Sequence, residues 1–109
     1  MSDWITVCAV EDIPANSAHC ALVGQQQIAV FHINRSGKDE FYALDNHDPF
    51  SGANVLSRGI VGSLGEKLVV ASPVYKQHFC LQTGSCLEDN VHLRTWPVRV
   101  SQDQIQLAI

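Results

Sequence analysis

Turn punctuation constrains this chain more than any other feature. Apolar segments run only a short way before a cluster of Gly, Pro, Asn, Asp or Ser interrupts them, roughly every eight to twelve residues. No stretch longer than ~10 residues places its apolar side chains at the helical period. Residues 4–10, 18–23, 27–33, 40–44, 68–71, 94–100 and 105–109 are rich in β-branched, aromatic or alternating apolar residues and are expected to be strands. The connection 11–17 holds an acidic pair and Pro14 and leaves room for one short helical turn, whereas Gly24-Gln25 and the polar stretch 34–39 around Gly37 are hairpin turns. Short strands spaced in this way predict an all-β, antiparallel sandwich or small barrel, a single domain over residues 1–109.

Composition narrows the partners. The 109 residues include only seven Lys and Arg, scattered along the chain, and the net charge is −4, which argues against a nucleic-acid interface built on clustered cations. No run approaches the roughly 18 apolar residues of a membrane span. Met1-Ser2-Asp3-Trp4 has neither the basic nor the apolar region of an export signal, so the cytoplasm is the expected compartment. There Cys8, Cys20, Cys80 and Cys86 are expected to be free thiols that pack as small hydrophobes, because no C-x-x-C pair anchors a metal site.

Two segments invite a chemical reading. Gly59, Gly62 and Gly65 fall at G-x-x-G-x-x-G spacing, but no Lys-Ser or Lys-Thr and no helical run follows, so they are expected to mark turns between short strands and not a phosphate cradle. The second is the loop 45–53, nine residues dense in loop formers, long enough in a compact domain to point to function. No nucleophile elbow or acid–base constellation at a diagnostic spacing accompanies it, so a self-sufficient active site is not expected.

The stretch 69–84 joins these observations: a strand, the tight loop Ser72-Pro73-Val74-Tyr75, a return strand Phe79-x-Leu81 and the turn Thr83-Gly84. It resembles the second metal loop of the Rieske iron–sulfur domains, Cys-Pro-x-His followed by Phe-x-Leu-x-Thr-Gly. Asp48-Pro49-Phe50 with Gly52-Ala53 resembles the first, Cys-Pro-His followed by Gly-Ala, and Pro97-Val98-Arg99-Val100 with the closing hairpin looks like the family's last strands. The resemblance implies a Rieske-like fold whose ligand positions hold Asp48, Phe50, Ser72 and Tyr75. A Rieske centre needs thiolates on one iron and imidazoles on the other. A neutral Ser hydroxyl is a poor substitute for a thiolate and Phe has no donor atom, so no [2Fe–2S] centre is expected.

Asp48-Pro49-Phe50, Val55-Leu56-Ser57-Arg58-Gly59 and Val70-Ala71-Ser72-Pro73 together resemble the small-subunit family of NADH-dependent siroheme nitrite reductases. That resemblance implies an accessory role, with no cofactor on this chain, beside a large subunit that carries FAD, siroheme and a [4Fe–4S] cluster and reduces nitrite to ammonium. The two loops would then form a tip in which Pro49, Phe50, Pro73 and Tyr75 supply rigid contact area for the partner. Filling of the space left by a cluster is an equally open role for Phe50 and Tyr75. The alternative is an electron carrier with ligands drawn from His47, His78, Cys80 and Cys86.

Overall fold

The computed structural model describes residues 3–109, and every strand pairing among them is antiparallel. The strands are β1 (Trp4–Ala9), β2 (Ser17–Val23), β3 (Gln26–Arg35), β4 (Lys38–Asp45), β5 (Ile60–Leu64), β6 (Lys67–Ala71), β7 (His78–Cys80), β8 (Thr95–Trp96), β9 (Val98–Ser101) and β10 (Gln104–Ala108). Single 3₁₀ turns lie at Val10–Asp12, inside or beside the connection expected to hold one, and at Leu56–Arg58. Three sheets form, in the orders β1-β10-β9, β2-β3-β4-β8 and β5-β6-β7.

β3 explains how they stack. Its run Ile28-Ala29-Val30-Phe31-His32-Ile33 is buried throughout, which an amphipathic strand would not be. Side chains alternate across a strand, and here Ala29, Phe31 and Ile33 join one core with Leu68, Val70 and Phe79, while Ile28 and Val30 join another with Trp96, Ile105 and Leu107. The four-stranded sheet is therefore a middle layer with one smaller sheet on each face. The expected all-β antiparallel fold is present, with two cores sharing one sheet.

Two expectations need correction. Residues 94–100 are not one strand: Pro97 lacks the N–H a ladder requires, so β8 ends on β4 at Trp96 and the chain crosses to β10 as β9. The Pro97 carbonyl still accepts the Ala108 N–H at 3.1 Å, which holds the crossing in place. Gly62 is not a turn either. It lies inside β5 opposite Val69, and only Gly65 turns the β5–β6 hairpin. Gly59 closes the 3₁₀ turn, and a Cβ there would run into the Ala71 carbonyl and Val70, so the glycine lets residues 58–60 lie against the end of β6.

Candidate functional site

The loops after β4 and β6 meet at one end of the middle and outer sheets. Asn46, 2% exposed, anchors the first: its N–H donates to the Gln27 carbonyl at 3.1 Å, and its side-chain amide donates to Gln27 Oε1 and to the Asn54 carbonyl, each at 3.2 Å. Its carbonyl and side-chain oxygen accept the N–H groups of Leu56 (3.1 Å) and Ser57 (2.7 Å), which holds the 3₁₀ turn beneath the loop. The sequence marked Asn46 only as a turn former; its partners lie too far along the chain to be read locally.

Asp48 and Ser72, at the two positions aligned with thiolates, are both fully buried and bonded to each other: Ser72 Oγ donates to Asp48 Oδ2 at 2.5 Å. The remaining capacity is used within the loops. Asp48 Oδ1 accepts the Phe50 N–H at 2.9 Å, and Ser72 Oγ accepts the Val74 N–H at 3.3 Å. Backbone bonds close each loop on itself, from Gly52 N–H to the Asp48 carbonyl (2.8 Å) and from Lys76 N–H to the Ser72 carbonyl (3.1 Å). Burial pushes the Asp48 carboxyl up, but the Ser72 hydroxyl, the Phe50 amide and the Ser51 hydroxyl and amide outweigh it, leaving Asp48 below the ordinary 3.8. It is a buried carboxylate, ionised at neutral pH, solvated entirely by loop donors. Asp48 therefore accepts hydrogen bonds instead of sitting in solvent.

The other two aligned positions part company. Phe50 is half-buried, packs on the core and lies 6.2 Å from the Phe79 ring, so it fills space beside the loops. Tyr75 is 60% exposed and fills nothing. Pro49 is exposed and Pro73 half-buried. The sequence reading missed Val74 (44% exposed) and Ile60 (72% exposed), the latter paired with Ala71 immediately before the second loop. The Ile60-Val61 pair between two glycines gives no local sign of which side chain surfaces.

Among the described residues, the alternative ligand set forms no metal site, although His78 and Cys86 both reach Glu88. His47 bonds Asn54 Oδ1 at 3.2 Å, and His78 Nδ1 donates to Glu88 Oε2 at 2.6 Å. Cys80 and Cys86 are buried; burial raises the Cys80 thiol, but Thr83, the Gln82 amide and Lys67 bring it below its ordinary value. Among the described residues, no three His, Cys, Asp or Glu side chains are arranged to hold a metal ion. Cys20 departs from the expected pattern of packed thiols, being exposed on β2.

Comparison with known proteins decides the family. Residues 3–108 match the model of the Rieske-like [2Fe-2S] domain. Over 108 residues the chain is 39% identical to the nitrite reductase (NADH) small subunit of Escherichia coli K12, covering 98% of both chains. The chain belongs to the nitrite reductase (NADH) small subunit family. A solved member of that family, the E. coli protein NirD, superposes with a TM-score of 0.90 at 38% identity, over 99% of this chain and 97% of that one. The family's sequence also occurs inside a longer protein: the nitrite reductase [NAD(P)H] large subunit of Klebsiella oxytoca is 40% identical over 103 residues, 94% of this chain and 10% of its own length. No helix among the described residues is long and apolar enough to cross a membrane.

Proposed function

We propose that this chain is the cluster-free accessory subunit of a cytoplasmic NADH-dependent nitrite reductase. It binds a large subunit that carries FAD, siroheme and a [4Fe–4S] cluster and supports that subunit's reduction of nitrite to ammonium, contributing no redox centre. The observation that carries the reading is the Asp48–Ser72 bond. Two iron-binding thiolate positions are occupied by oxygens already committed to each other, Phe50 offers no donor atom, and Tyr75 is largely exposed. These residues do not fit a [2Fe–2S] cluster. Instead, the carboxylate–hydroxyl bond joins the two loops, as a shared cluster would in a metal-bearing relative. The occurrence of a similar sequence, 40% identical, within a large subunit supports that subunit as the partner. Among the described residues, His47, His78, Cys80 and Cys86 form no metal-holding cluster, which weighs against an electron carrier with unorthodox ligands.

The test is direct. The purified chain is expected to be colourless and to contain no stoichiometric iron. Mixed with its large subunit, it is expected to form a complex and raise nitrite-dependent NADH oxidation. Bound iron with visible absorption would overturn the cluster-free assignment, and indifference of both complex size and activity would overturn the accessory role.

A further inference from the structure

Resting on the accessory-subunit reading, we infer that the chain docks with its two-loop end on an apolar depression rimmed by carboxylates on the large subunit, one copy per large chain. The surface is assembled by contacts already described. Ile60 pairs with Ala71, Gly59 backs onto the Ala71 carbonyl, Ser72 follows, and the Asp48–Ser72 bond ties the first loop, which carries Pro49, to the second, which carries Val74 and Tyr75. Three large apolar side chains are thereby exposed: Val74 (44%) and Tyr75 (60%) on a loop closed by its own hydrogen bonds, and Ile60 (72%) at the start of β5, held by its pairing with Ala71. An apolar surface that is already ordered loses little conformational freedom on binding, and Tyr is a favoured interface anchor.

Charge selects the partner surface. The chain has eleven Asp and Glu, yet in 46–64 and 71–77 the sole carboxylate is Asp48, which is fully buried. The exposed charges there are the cations Arg58 and Lys76, with His47 beside them. Two carboxylates border this surface and each is tied to one of its histidines: Asp45 accepts the His47 N–H at 3.0 Å, and Glu88 accepts from the His78 ring and amide. A cationic rim on an otherwise acidic protein steers toward an acidic rim and away from other acidic proteins. The Klebsiella oxytoca large subunit carries within one chain a 103-residue segment 40% identical to this one, which supports one copy per large chain. The same geometry serves both arrangements. β1 and β10 pair with each other in the sheet that carries neither loop, so a covalent connection at those strands leaves the loop end free.

The experiment uses the full chain and its purified large subunit. Val74→Ser with Tyr75→Ser, and separately Arg58→Glu with Lys76→Glu, are each expected to weaken binding by ~10-fold or more, with far-UV circular dichroism confirming the fold. Wild-type affinity is expected to fall with rising salt, the charge-reversed variant to lose that dependence, and Leu22→Ser, exposed on β2, to bind like wild type. Saturation at one small chain per large chain completes the expected result. Loop variants that bind as tightly as wild type, or saturation at another ratio, would overturn the inference while leaving the accessory role standing. Failure of the wild-type chain to bind at all would instead remove the accessory reading itself.

Discussion

A carboxylate buried without a cation is held here by two kinds of donor, hydroxyls and backbone amides, that short loops present to it. The Ser72 hydroxyl is the one donor from the opposite loop. Ser72→Ala leaves Asp48 buried with one fewer partner and is expected to cost about 1.5–3 kcal/mol in urea unfolding at neutral pH. Because the folded-state carboxyl lies below its ordinary 3.8, its contribution is fully present above the unfolded value and is lost as pH falls through the folded one. Asp48→Asn removes the charge and that dependence together. Wild type is therefore expected to exceed Asp48→Asn in stability at pH 7, with the gap closing as pH drops below about 4. A gap that is the same at neutral and acid pH would mean that Asp48 is not ionised in the fold. Little of this was legible in advance. Asp48 and Ser72 were picked out by their places in a frame, but they are 24 residues apart and nothing local predicts that they share one hydrogen bond.

At the scale of elements, the return from β7 depends on a glycine. Gly84 has φ +78°, and a Cβ there would collide with the Leu93 carbonyl, whose residue pairs back through its N–H to Gly84 at 2.8 Å. Gly84→Ala combines backbone strain with that collision and is expected to cost about 1–3 kcal/mol, seen as a fall of roughly 5 °C or more in melting temperature. An unchanged melting temperature would show that the 81–93 segment yields without cost. The Thr83-Gly84 turn was legible because turn chemistry is local. The splitting of 94–100 was not: Pro97 advertises a break in pairing, but which strand lies on each side is decided by β4 and β10. Gly62 failed in the opposite sense, since an exposed edge strand tolerates a glycine that sequence alone reads as punctuation.

Across the whole molecule, β3 couples the two cores. Phe31 belongs to the core beneath the loops and Trp96 to the other, and both rest on the same sheet. Phe31→Ala is expected to cost about 3–5 kcal/mol. If the shared sheet makes unfolding cooperative, the urea midpoint read by the indole of Trp96 falls in step with that read by backbone dichroism. Separate midpoints would show two units that unfold independently.

Sequence alone determined what depends on near neighbours. Strand alternation, the absence of a helical period and Gly/Pro/Asn turn chemistry each act over a few residues, and they marked most strands, the main hairpins and the frame of both loops. The residue types in that frame were equally readable, because Phe has no donor atom wherever it is placed. Tertiary structure decided everything that needs distant segments to meet. It set the middle position of β3, sealed Asp48 against Ser72, gave Asn46 its partner Gln27, turned Phe50 inward and left Ile60, Val74 and Tyr75 exposed. Burial is a property of packed sheets and not of residue type, so the surface that meets a partner emerges only when the layers are in place.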